Sequence, residues 1–151
     1  MSSKLVIIPT YNELENIQKI IDKVFSLEGD FHILVVDDGS PDGTADIVKS
    51  LQPKYPGMLH IEERSGKLGL GTAYIHGFKW GIKNKYDFLF EMDADFSHNP
   101  DDLIQLFNAC EIEGGDVAIG SRYKTGVNVV NWPMGRVLMS YYSSVYVRCI
   151  S

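Results

Sequence analysis

Residues 32–44 read His32-Ile33-Leu34-Val35-Val36-Asp37-Asp38-Gly39-Ser40-Pro41-Asp42-Gly43-Thr44. An apolar, β-branched run stops abruptly at carboxylates and turn residues. Ala45, Ile47, Val48 and Leu51 then recur at helical spacing. This is one strand–turn–helix unit, and the rest of the chain repeats it. Upstream, residues 4–8 are an apolar strand, followed by Pro9-Thr10-Tyr11-Asn12-Glu13. A helix with Leu14, Ile17, Ile20, Ile21, Val24 and Phe25 on one face comes next, and Thr10-x-x-Glu13 fits a capping box at its start. Downstream, residues 58–61 are a weaker strand, and Gly66-Lys67-Leu68-Gly69-Leu70-Gly71-Thr72 opens a helix through Ala73, Phe78 and Ile82. Residues 87–92 form a fourth strand. Asn99 and Pro100 read as N-cap and first helical position, ahead of Leu103, Ile104, Leu106, Phe107 and Cys110. Residues 116–120 read as a fifth strand, and a last helix begins near Met134. Strands alternating with helices across short connections predict an α/β fold, a mainly parallel sheet flanked by helices in a single Rossmann-like domain.

The chain has 151 residues, 44% of them hydrophobic and 23% charged, enough for one domain with a core. The net charge of −6 argues against a general nucleic-acid binder. Cys110 and Cys149 have no framework spacing and read as thiols in a reducing compartment. The start, Met1-Ser2-Ser3-Lys4, is no signal peptide, and no apolar run approaches the roughly 18 residues of a membrane span.

Acidic or glycine-rich clusters fall where strands end, the place where open α/β sheets bind ligands. Asp93 and Asp95 follow the fourth strand one residue apart, and an extended chain turns residues i and i+2 to the same face. Two carboxylates that close are costly without a cation between them. Oxygen-only ligands suit Mg²⁺ or Mn²⁺, ions that commonly also hold substrate phosphates. On the pair alone, exposed loop carboxylates remain an equal reading. Asp37 and Asp38 suit a ribose or base edge, while Asp42 and Gly43 shape a turn. Glu13 reads either as the arm of the capping box or as a ligand contact. The Gly66–Thr72 stretch fits neither a Walker loop, because Lys67 comes too early, nor the dinucleotide fingerprint, which needs a third glycine. Arg64 and Lys67 remain candidates for an anionic group, and Arg122 and Arg136 for a pyrophosphate. Asp93-Ala94-Asp95-Phe96-Ser97 is also similar to the nucleophile motif of haloacid-dehalogenase-type phosphatases. That motif belongs on a first strand with an acidic pair downstream, and here four strands precede it.

Together the motifs resemble family 2 nucleotide-sugar glycosyltransferases, and within them the polyprenyl-phosphate (dolichol-phosphate) mannosyltransferases. The resemblance rests on Pro9 to Glu13, Val36 to Thr44, Gly69 to Tyr74, Met92 to Pro100, Gly120-Ser121-Arg122-Tyr123 and Trp132-Pro133-x-x-Arg136, in that order. It implies a GT-A fold with a nucleotide-sugar-binding core over residues 1–130. Residues 131–151 would begin an amphipathic acceptor or interface helix that is cut short. It implies that Pro9, Tyr11, Glu13, Val36, Asp37, Asp38, Lys67 and Ala94 line the donor pocket with Arg122 and Arg136. Asp93 and Asp95 would hold Mg²⁺ or Mn²⁺ against the donor pyrophosphate, with Ser97 standing where some relatives have a further ligand.

The implied reaction is inverting transfer of mannose from GDP-mannose to a polyprenyl phosphate. Asp93, Asp95 and Arg122 would serve the departing pyrophosphate, and a phosphate acceptor ionised above its second pKa near ~6 needs no general base. Implied partners are the nucleotide-sugar donor and a lipid acceptor at the membrane surface. The implied place is cytoplasmic, peripheral at the cytoplasmic face. Self-association through the helix of residues 134–151 is a further expectation. Alternatives are a UDP-glucose or UDP-N-acetylhexosamine donor, or a nucleotide-sugar-binding fragment without turnover.

Overall fold

A computed structural model describes residues 2–120. Arg122, Arg136, Cys149, residues 121–130 and the expected helix of 131–151 lie outside the described residues. The chain divides into two compact units, Met1–Ala118 and Ile119–Ser151, and every strand among the described residues lies in the first.

Four strands, β1 (Lys4–Thr10), β2 (Phe31–Asp37), β3 (Leu59–Glu63) and β4 (Phe88–Glu91), pair in the order β3-β2-β1-β4, all parallel. Parallel pairing demands crossovers, and the helices α1 (Ile17–Phe25), α2 (Thr44–Leu51) and α3 (Leu70–Lys83) supply them. Helix α4 (Asp102–Glu111) follows β4. Alternate residues of β1 explain its unbroken apolar run. Val6 and Ile8 pack with Ile17, Ile20, Val24, Val48 and Leu103 of α1, α2 and α4, while Leu5 and Ile7 pack with Ala73 of α3 on the opposite face. Helix α3 can lie this close because it presents Gly77 and Gly81. A Cβ at Gly77 would stand 2.4 Å from Ile7 Cγ2, and one at Gly81 would stand 2.5 Å from Leu89 Cδ2.

Two expectations about elements fail. The capping box does not form. Thr10 completes β1 and donates its hydroxyl to Asp37 Oδ1, Glu13 accepts from Asn16 Nδ2 instead, and α1 starts at Ile17 with no side-chain cap. The spacing fits, but Thr10 is still extended in β1, paired with β2, so it cannot stand as the N-cap of α1. Residues 116–120 carry no strand, and Val117 and Ile119 are exposed. The run is short and bounded by Gly114, Gly115 and Gly120, whose backbone freedom weakens a strand.

Strand order fixes where a ligand fits. The chain adds β2 and β3 on one side of β1, then places β4 on the other, so the order reverses between β1 and β4. Open sheets leave a crevice at that point, outside the carboxyl ends of the strands. Pro9 helps to open it. Ile7 O still accepts from Met92 N at 3.1 Å, and the next position on that edge of β1 is Pro9, which has no N–H to offer.

Candidate active site

The β2 end is a self-satisfied scaffold. Asp37 Oδ1 accepts from the hydroxyls of Thr10 (2.8 Å) and Ser40 (2.6 Å), and Oδ2 accepts from Ser40 N–H (2.8 Å). The loop after β1 is sewn to the loop after β2. Asn12 N–H donates to Ser40 Oγ, Glu13 N–H to Thr44 Oγ1, and Leu14 N–H to Asp42 Oδ2. Asp42 also accepts from Thr44 N–H and Oγ1. Desolvation pushes the Asp42 carboxyl up, but the hydrogen bonds from Thr44 and Leu14 outweigh it and hold the pKa below the usual carboxylate value. Gly39 takes φ +70°, and a Cβ there would stand 3.4 Å from Gly66 Cα.

Asp38 is equally occupied. Arg64 reaches its Oδ1 through Nε at 2.6 Å and Nη2 at 2.5 Å, and Leu68 N–H donates to Oδ2 at 3.1 Å. Both side chains of the ion pair are 8% exposed. The remaining Arg64 donors hold Thr72 Oγ1 and Gly69 O, so the glycine-rich stretch is fastened down as a strap over β2. Lys67 Nζ stands 4.5 Å from the centre of the Tyr11 ring, above the end of β1. The Val36 side chain is fully buried in the core facing α3, so Val36 can border the expected pocket only through its backbone.

The β4 end differs. The strand stops at Glu91, and Ala94 and Asp95 form a turn, so the pair is not presented by one extended strand as expected. Asp95 itself makes the turn, because its Oδ1 accepts from Ser97 N–H at 2.9 Å and Phe96 takes φ +58°. Asp93 Oδ1 accepts from the Tyr74 hydroxyl at 2.8 Å, and Asp93 N–H donates to His98 Nδ1 at 3.3 Å. Burial first, and Asp93 second, push the Tyr74 phenol far above its usual pKa, so it stays a donor. Partial burial pushes Asp95 up, yet the Ser97 hydrogen bonds and His98 outweigh that and keep it below the usual carboxylate value. Ala94 is buried between the two acids.

Each acid therefore spends one oxygen inward. Among the described residues no donor reaches Oδ2 of Asp93 or of Asp95. No cluster of three or more His, Cys, Asp or Glu residues that could hold a metal occurs among them either. Two carboxylates with the Ser97 hydroxyl close by are an oxygen-only set, short of a full cage. That set fits a hard cation whose other ligands come from water and substrate phosphate. Of the expected residues, β1 and its loop bring Pro9, Tyr11 and Glu13, and β4 brings Asp93, Ala94, Asp95 and Ser97, to the two sides of the crevice. Sequence reasoning missed Tyr74 and gave Arg64 no defined partner. Tyr74 stands four residues before Phe78 in the apolar pattern of α3 and reads as core, while Arg64 finds Asp38 twenty-six positions away.

The glycosyl transferase family 2 description matches residues 5–148, nearly the whole chain. The chain belongs to glycosyltransferase family 2. It is 49% identical over 144 residues to a polyprenol monophosphomannose synthase of Mycolicibacterium smegmatis, covering 95% of this chain and 54% of that protein. It is 42% identical over 137 residues to a dolichol-phosphate mannosyltransferase of Pyrococcus furiosus, covering 89% of this chain and 37% of the relative. The chain thus spans about half or less of these curated relatives. A mannosyltransferase of Pyrobaculum calidifontis, solved with GDP-Man and Mn²⁺, aligns at TM-score 0.49 and 25% identity over 53% of this chain and 25% of that one, too loosely to carry an argument. The parallel sheet with its switch-point crevice is the GT-A arrangement of this glycosyltransferase family.

Proposed function

We propose that this glycosyltransferase transfers mannose from GDP-mannose to a polyprenyl phosphate, with inversion at the sugar. The observation that carries the reading is the crevice between β1 and β4. It is edged by two acids, each with an oxygen that no donor among the described residues engages, in a chain that shares 49% identity with a polyprenol monophosphomannose synthase. Tyr11, on the β1 side, offers an aromatic face to a nucleotide, with Lys67 above it to meet negative charge. Tyr74 fixes the rotamer of Asp93, and Ser97 fixes that of Asp95, so the free oxygens are oriented before a ligand arrives. A Mg²⁺ or Mn²⁺ ion held there would neutralise charge building on the departing pyrophosphate. Arg122 and Arg136 are proposed to add positive charge to the same group. An ionised lipid phosphate attacks without a general base. No described helix is long and apolar enough to cross a membrane. The acceptor would be met at the membrane surface, with residues 131–151 contributing to that contact.

The test is transfer of mannose from GDP-mannose to a polyprenyl phosphate, with thermal stabilisation by GDP and by UDP measured beside it. Product formation and metal-dependent stabilisation by GDP but not UDP support the proposal. Stabilisation by UDP alone points to another donor, and stabilisation without transfer points to a binding module.

A further inference from the structure

The main chain at Asp93 is held by His98, a side chain that the proposed reaction does not otherwise need. Met92 N–H is the last donor after β4 to reach β1, where it meets Ile7 O at 3.1 Å. Among the described residues β4 is an edge strand, and an edge strand has no neighbour for its outward N–H groups. His98 supplies one. Its Nδ1 accepts from Asp93 N–H at 3.3 Å. An amide N–H only donates, so Nδ1 is the accepting nitrogen and the proton of the neutral ring lies on Nε2. This bond closes residues 93–98 into a loop, and the Asp95–Ser97 hydrogen bond nests inside it. Both ends of the loop are anchored. Met92 is buried before it, and beyond it Asn99 Oδ1 accepts from Asp101 N–H while α4 seats Leu103 in the core. Phe96, at the tip, takes φ +58°, in the left-handed region that a bulky side chain rarely adopts. Such a conformation persists where the surrounding bonds over-determine it, and it gathers at ligand sites.

We infer that His98 is a positioning residue for the β4 end: its Nδ1 holds the Asp93 main chain, and through it the separation of the Asp93 and Asp95 carboxylates. This role presupposes the metal-dependent nucleotide-sugar reading of that end. Tyr74 fixes only the Asp93 carboxylate, and the Asp95–Ser97 bond spans only the tip of the loop. Among the described residues, His98 alone ties the chain at Asp93 to the chain beyond Asp95. A small divalent cation tolerates little error in the placing of its oxygens. Groups that stand behind the ligands set that placing, and losing one commonly weakens metal binding by roughly 10–100-fold. His98 acts from behind, because its Nδ1 is spent on the main chain.

The test is calorimetric titration of the whole chain with GDP, with and without Mn²⁺, in the parent, H98L, H98A and H98N. Leucine and alanine remove the acceptor, the first keeping the bulk of the ring. Asparagine puts Oδ1 where Nδ1 stood and restores it. Amide hydrogen exchange at Asp93, followed by NMR without metal, reads the bond itself. H98L and H98A should exchange the Asp93 amide roughly tenfold faster than the parent and weaken Mn²⁺-dependent GDP binding by about tenfold. H98N should stay within about threefold of the parent in both, and urea midpoints near the parent's show that the variants are folded. Equal Mn²⁺-dependent affinity in the parent and H98L overturns the positioning role. So does an H98N no better than H98L, because the ring and not its Nδ1 then matters. An Asp93 amide that exchanges equally fast in the parent and H98L overturns it whether or not nucleotide binds. A parent with a protected Asp93 amide and no Mn²⁺-dependent GDP binding overturns the nucleotide-sugar reading, and the positioning role falls with it.

Discussion

Strands β2 and β4 both end in two acids, and the two ends do opposite things with them. Asp37 and Asp38 are 1% and 5% exposed, and every oxygen of theirs meets a donor from Thr10, Ser40, Arg64 or Leu68. Among the described residues, Asp93 meets Tyr74 and Asp95 meets Ser97, and no donor reaches the Oδ2 of either. A buried carboxylate without partners is costly, so the first pair has been absorbed into the scaffold that shapes the mouth. The second stands at the switch point, where the sheet has no backbone to spare for it. An apolar run ending in two acids marks a strand end where a ligand could bind, and the surrounding donors separate a pair that is already engaged from one that is not.

The comparison predicts its own largest effect at Asp37. Removing it strands the hydroxyls of Thr10 and Ser40 and the N–H of Ser40, so Asp37→Ala should cost about 3 kcal/mol in urea unfolding. Asp95→Ala should cost less than about 1 kcal/mol in the same experiment, because its hydrogen bonding to Ser97 shapes an exposed turn. Equal losses would erase the distinction between the two ends.

Helix α3 connects them, since it carries Thr72 to Arg64 and Tyr74 to Asp93. Gly77→Ala should destabilise the fold by about 2 kcal/mol despite better helix propensity, because the new methyl would overlap Ile7. The displaced helix should also weaken nucleotide binding at the β4 end. Unchanged or improved stability in a urea melt would show that the helix can shift without cost.

Much of this architecture was legible from hydrophobic runs alone. The four strands fall where the apolar segments lie, and α2, α3 and α4 start within a few residues of their polar signals. Local spacing misled where a partner lay far along the chain. Thr10 matched a capping box but bonds to Asp37, and Asp38 looked open because Arg64 is distant in sequence. Asp93-Ala94-Asp95 matched an extended pair, but the Asp95–Ser97 hydrogen bond closes a turn. Val36 sat in a motif, yet its strand position turns it into the core. The spacing of residues 116–120 named a strand, but nothing in a short glycine-bounded run guarantees a pairing partner.

Smaller effects sharpen the contrast further. Tyr74→Phe should leave the fold within about 1 kcal/mol and weaken metal-dependent nucleotide binding by roughly tenfold, through a less ordered Asp93. An unchanged dissociation constant would deny Tyr74 its positioning role. At the β2 end, Asp42 has a folded pKa below its unfolded value of 3.8, so its contribution is present above that pH and lost as pH falls through the folded value. Urea midpoints measured downward from pH 5 should therefore fall more steeply below about pH 4 for the parent than for Asp42→Asn. Parallel curves would remove Asp42 from the scaffold.

The most direct test of the β4 end as the ligand end is calorimetric titration with GDP, with and without Mn²⁺, of the parent and of Asp95→Ala. Mn²⁺-dependent binding by the parent that Asp95→Ala loses, with its urea midpoint kept, is the result the account predicts. Equal Mn²⁺-dependent binding by both proteins would contradict it.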